Sequence, residues 1–117
     1  MRNMTKIAAL IFVVCGLHIM VAHANPPNAM FVNYDLKRQE LGVKIQHPVG
    51  NRLKHFIKMV IVYKNGKEVA KKEFDFQTSN RNQTMPPFKI PAFKGNTFKV
   101  VATCNTTGQG EKTITVE

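Results

Sequence analysis

Two histidines and one cysteine are the side chains of this sequence best suited to chemistry. His47 and His55 flank a short polar loop within His47-Pro48-Val49-Gly50-Asn51-Arg52-Leu53-Lys54-His55-Phe56-Ile57, and Cys104 stands far downstream. One histidine closes an apolar run, the other opens the next, and the cysteine closes a third. Imidazole nitrogen and thiolate sulfur are the donors that hold mid-row transition metals. A three-donor set with open positions belongs to a reactive centre rather than a closed structural one. The plain alternative is that the histidines are ordinary surface or core residues and the thiol packs as a small apolar group.

The chain of 117 residues is long enough for one domain. Its first residues read as something else. Arg2 and Lys6 precede an apolar run from Ile7 to Ala22, and Ala22-His23-Ala24 is a small-x-small cleavage pattern. Residues 1–24 therefore read as a signal peptide, with the mature chain starting near Asn25. The apolar run is shorter than the ~20 residues of a spanning helix, and His18 interrupts it. A retained anchor is the alternative. The expected product is periplasmic or otherwise exported, with no membrane attachment once the signal is removed.

Cleavage would leave a 25–117 domain of 93 residues with 15 Lys and Arg against 7 Asp and Glu. So small a domain supports one modest core. Its positive field would draw a small anion toward any site it surrounds. Export and the scatter of the lysines argue against a nucleic-acid partner. Cys15 would leave with the signal, so Cys104 has no intrachain partner. An exported domain with one thiol must bury it, pair it with another chain as a homo-oligomer, or use it.

The elements that would position these donors are strands. Residues 30–36, 41–46, 55–63, 68–76, 88–90, 97–104 and 111–116 carry β-branched and aromatic residues or alternate apolar with polar. Leu41, Val43 and Ile45 share one face, as do Phe98, Val100, Ala102 and Cys104. In 55–63, alternation puts His55, Ile57, Met59, Ile61 and Tyr63 together and Val60 and Val62 opposite. Asn65-Gly66 between two such runs predicts a type I′ hairpin. The polar stretch 77–83 reads as a loop, and Pro86, Pro87 and Pro91 bracket a short edge segment. Seven short strands and no helix predict an all-β, immunoglobulin-like antiparallel sandwich. Counting reversals from 41–46 makes 97–104 run in the same sense, so His47, His55 and Cys104 converge at one pole.

With those motifs in place, the sequence resembles the iron-binding domain of desulfoferrodoxin and superoxide reductase. The likeness covers roughly 41–110. It rests on His47-Pro48, His55-Phe56-Ile57, Val60-x-Val62, the Asn65-Gly66-Lys67 turn and the corner Cys104-Asn105-x-x-Gly108. It implies an immunoglobulin-like sandwich holding non-haem iron through four histidines and an axial cysteine, with an open position at which superoxide is reduced to hydrogen peroxide. It also implies a separate electron donor, which the sequence does not identify. His47, His55 and Cys104 match three of the five ligands. The family's fourth histidine falls on Thr107, and its upstream histidine has no counterpart between Asn25 and Gln46. Thr107, Asn105 or water are the candidates for the vacant positions.

A second resemblance, carried by the Asn65-Gly66-Lys67-Glu68-Val69 hairpin, the 94–100 run and Ile114-Thr115-Val116, is to the small immunoglobulin-like subunit of the thiosulfate-oxidation carrier complex. It implies a non-catalytic partner-binding module. It leaves Cys104 without a role. A blue-copper site needs a histidine, usually with a methionine, soon after its cysteine. Neither follows Cys104.

Overall fold

Alternation with a period of two builds the centre of the fold. In the computed structural model, which describes Pro27 and residues 29–117, Leu41, Val43 and Ile45 point inward from one strand. Phe98, Val100, Ala102 and Cys104 point inward from another. The expected signal peptide, residues 1–24, lies outside the described residues.

Eight strands follow in order: β1 (Ala29–Asp35), β2 (Glu40–Gln46), β3 (Ile57–Lys64), β4 (Lys67–Glu73), β5 (Asn82–Thr84), β6 (Phe88–Lys89), β7 (Thr97–Cys104) and β8 (Gln109–Thr115). They form two antiparallel sheets. One runs β1-β2-β5, with β6 also on β2, and the other runs β4-β3-β7-β8. The all-β, immunoglobulin-like sandwich expected from the sequence is the architecture observed, with no helix among the described residues. One apolar core fills the space between the sheets. Leu41, Ile45, Ile57, Val60, Val62, Phe98 and Val100 are fully buried in it. Each such side chain contributes about 1.5–3 kcal/mol by leaving water.

The β3–β4 turn has the form its two residues demand. Asn65 and Gly66 both take positive φ (50° and 84°), and Lys64 pairs with Lys67 across a two-residue loop. That is the type I′ geometry, whose twist matches the flanking strands.

Two expectations are corrected. The stretch 77–83 is not wholly a loop, because Asn82–Thr84 forms β5 against the end of β2. Its buried residue is Gln83, so no apolar alternation advertises the strand. The amide stands in for an apolar side chain by satisfying all its contacts: Nε2 donates to the carbonyls of Ile57 (3.0 Å) and Phe76 (2.9 Å), and Oε1 accepts from the Thr78 N–H (3.1 Å).

The second correction concerns faces. Ile57 does not share a face with Met59 and Ile61. It is buried with Val60 and Val62, whereas Met59 and Ile61 are half-buried on the other side. The cause is a bulge: Met59 opposes Thr103 and Ile57 opposes Cys104, so Lys58 is an extra residue in β3. A bulge of this kind shifts the inward face by one residue and re-aims what precedes it. Regular β3 begins at Ile57, two residues later than the alternation suggested.

The hidden strand leaves the reversal count intact. β5 and β6 both run antiparallel to β2, so together they count as a single pass. The C-terminal ends of β2 and β7 and the start of β3 therefore meet at one pole.

Phe98 ties the sheets together, stacking on Tyr34 of β1 with ring centroids 5.2 Å apart. Phe98→Ala is expected to cost about 3–5 kcal/mol of stability. Equilibrium denaturation measures the loss, and a cost below ~1 kcal/mol would contradict this account of the core.

Candidate metal centre

The inward faces of two strands carry two of the donors. His47 is the next inward position after Leu41, Val43 and Ile45, one residue beyond β2, and it is only 2% exposed. Its N–H donates to the Arg81 carbonyl (2.8 Å), which continues the pairing of β2 with the β5 side. Pro48 follows and biases His47 toward extended backbone. Cys104 is the last inward residue of β7, likewise 2% exposed and free of any disulfide.

His55 arrives by a loop. The Asn51 side chain accepts from the Leu53 N–H (3.0 Å), and the Asn51 carbonyl accepts from the N–H groups of Lys54 (3.0 Å) and His55 (2.9 Å). That tight turn reverses the chain. Asn105 then docks it onto β7. Its Oδ1 accepts from the Phe56 N–H (2.9 Å), its Nδ2 donates to the Lys54 carbonyl (2.9 Å), and its own N–H donates to the Phe56 carbonyl (2.9 Å). Beyond Asn105 the chain turns back so that the Cys104 N–H reaches the Gly108 carbonyl (3.0 Å). Gly108 makes that turn with φ of 95°, a conformation costly for a residue with a side chain.

The result brings together all three residues singled out from the sequence. Donor atoms of His47, His55 and Cys104 lie within 4.8 Å of one another. His55 Nε2 is 3.1 Å from Cys104 Sγ. The two imidazoles meet edge to face, with centroids 5.0 Å apart and planes at 86°. His47 and Cys104 form the buried floor, and half-buried His55 borders solvent.

Sequence reasoning did not single out two further residues. Thr106 places Oγ1 3.2 Å from Cys104 Sγ and 3.3 Å from His55 Nε2. The alignment of the Cys-Asn-x-x-Gly corner directs attention to Thr107 instead, and only the conformation of the corner reveals its neighbour. Gln77, fully buried, has Oε1 2.9 Å from His47 Nδ1. It lies in the stretch read as a polar loop and carried no signal.

Comparison with known proteins adds the fold. No protein-family model matches the sequence, and no curated protein matches it. The fold is similar to that of superoxide reductase. The crystal structure of superoxide reductase in the oxidized state matches with a TM-score of 0.50 and 19% identity, over 83% of this chain and 94% of that one. At that identity the likeness is one of fold, and the donor cluster rests on this chain's own geometry.

The donor set has a definite chemical character. Two imidazoles and a thiol, with no carboxylate among them, suit a first-row transition ion and not an oxygen-seeking cation such as calcium or magnesium. Burial pushes the His55 imidazole below its ordinary pKa, and the neighbouring His47 pushes it further the same way. Both effects favour the neutral imidazole, the form that binds a metal.

That shift predicts a pH dependence in the metal-free protein. In the unfolded chain His55 titrates near 6.5, and in the fold it titrates lower. The stability that neutral His55 lends is present above the unfolded value and is lost as pH falls through the folded one. Thermal melts of metal-free protein between pH 8 and 5 should show Tm falling with acid, and His55→Gln should flatten the fall. A variant as acid-sensitive as the wild type would contradict the assignment.

Proposed function

We propose that this domain is an exported metal-binding protein of the superoxide reductase type, with His47, His55 and Cys104 holding one non-haem iron ion. The observation that carries the reading is the convergence of both described imidazoles and the thiol at one pole of this fold. The donor chemistry fits a transition ion, and three protein ligands leave positions for a small molecule. The substrate class that fits is a small anion, superoxide first. The excess of 15 Lys and Arg over 7 Asp and Glu in 25–117 favours its approach.

Bound there, reduced iron would supply one electron to superoxide, which with two protons leaves as hydrogen peroxide. The remaining work falls to the chain. Cys104 binds as the thiolate and contributes negative charge to the centre. His47 and His55 anchor it as neutral donors. Thr106, exposed at the rim with its hydroxyl against both Sγ and His55 Nε2, borders the open side and can hold a proton there. The electron comes from a separate donor. Removal of the signal at residue 24 would release the domain outside the cytoplasm.

Metal analysis of protein purified without oxygen should find about one iron per chain, and the oxidised form should absorb in the visible through sulfur-to-iron charge transfer. Cys104→Ser should abolish that band while the far-ultraviolet circular dichroism of the sandwich persists. A wild-type protein that takes up no metal, and shows no band when iron is supplied, would end the proposal.

A further inference from the structure

Gln77 is buried to 0% exposure, yet all four hydrogen-bonding directions of its amide are engaged. Nε2 donates to the carbonyls of His47 (2.8 Å) and Ser79 (3.0 Å). Oε1 accepts from the Ile57 N–H (3.1 Å) and lies 2.9 Å from His47 Nδ1. The first three contacts settle which end of the amide is which. Carbonyl oxygens only accept, so the group facing two of them is the NH2. A backbone N–H only donates, so the group facing it is the oxygen. An amide oxygen therefore faces His47, and Nδ1 must carry a proton to bond to it. In a neutral imidazole the lone pair then resides on Nε2.

We infer that Gln77 locks His47 in its Nδ1–H tautomer and so makes Nε2 the nitrogen His47 offers to a metal. Gln77 is a positioning residue, and its role at a metal centre rests on the function proposed above. The lock itself is a property of the metal-free chain. Ligating histidines commonly have their second nitrogen tied to an outer partner, which fixes the ring's orientation and its tautomer. Here that partner is an uncharged amide instead of a carboxylate. It adds no charge to a cluster that already gains one from the thiolate.

The backbone of Gln77 is equally constrained. Its N–H donates to the Arg52 carbonyl (3.0 Å), and its carbonyl accepts from Arg52 Nη1 (3.0 Å). The same Arg52 guanidinium sits 5.6 Å from the centre of the Phe76 ring. One side chain thus bridges the end of β2, through His47, and the start of β3, through Ile57. Both ligand-bearing segments are set relative to each other by the same amide.

The test is nitrogen-detected histidine NMR on metal-free protein labelled with 15N-histidine, together with metal titration of the same samples. Wild-type His47 should show a protonated Nδ1 and an unprotonated Nε2. Gln77→Met, which keeps the length and removes the acceptor, should release the tautomer and weaken metal binding roughly 10–100-fold. An unprotonated Nδ1 in the wild type overturns the lock whether or not any variant folds. So does a folded Gln77→Met that keeps the wild-type tautomer. Wild-type protein that takes no metal but shows the Nδ1–H form overturns the iron reading and leaves the lock standing.

Discussion

Val60, Ile61 and Val62 of β3 pair with Ala102, Val101 and Val100 of β7, and that ladder sets where His55 and Cys104 fall at the pole of the donor cluster. It lies at the centre of its sheet, with β4 and β8 on either side. Followed toward the pole, the ladder meets the extra residue Lys58 and then sets Ile57 opposite Cys104. Without the bulge, Ile57 would face away from the core and the segment leading back to His55 would leave on the wrong side. With it, His55 Nε2 comes within 3.1 Å of the thiol. An irregularity of one residue thus converts two ordinary strands into the wall of a site.

Period two made much of this legible beforehand. His47 extends the inward series 41, 43, 45, and Cys104 extends 98, 100, 102, so their burial follows from alternation alone. Asn65-Gly66 announced its turn because few other pairs tolerate two successive positive φ values. The bulge was not legible. His55 to Tyr63 is mostly apolar on both faces, and Lys58, which breaks one of them, reads as a polar interruption and not as the place where the phase slips. β5 was hidden for the opposite reason. Its buried position is a glutamine, whose suitability for the interior depends on three partners that only the folded chain supplies. The same holds for Gln77, which reads as a solvent-seeking residue until its neighbours are known.

Those two glutamines show how a small sandwich can hold polar groups in its interior. Each is fully buried, and no buried side-chain nitrogen or oxygen among the described residues lacks a hydrogen-bond partner. An unsatisfied amide in such a place would cost about 1–3 kcal/mol, a large share of the stability available to a domain this size. Full satisfaction turns that liability into specificity. A half-formed network is worse than an apolar core, so the arrangement of 77–83 against β2 and β3 has little freedom to vary.

Direct contact with the donor segments is accordingly made largely by amides, with the Arg52 guanidinium bracing the Gln77 carbonyl behind them. Asn105 engages the carbonyl of Lys54 and the N–H of Phe56, the residues on either side of His55. Gln77 engages the N–H of Ile57 and both the ring and the carbonyl of His47. Between them they hold the backbone around one imidazole and the ring of the other. Amides do not titrate, so this scaffold keeps its hydrogen bonds at any pH at which the protein folds, and salt screens it little. The ionisable groups are left to the centre itself, where His55 is already biased toward its neutral form by burial. A thiol and two imidazoles held by uncharged neighbours present one net negative charge once the thiol loses its proton. A metal cation would meet that charge only by displacing the thiol's proton, because the thiolate is the form that binds.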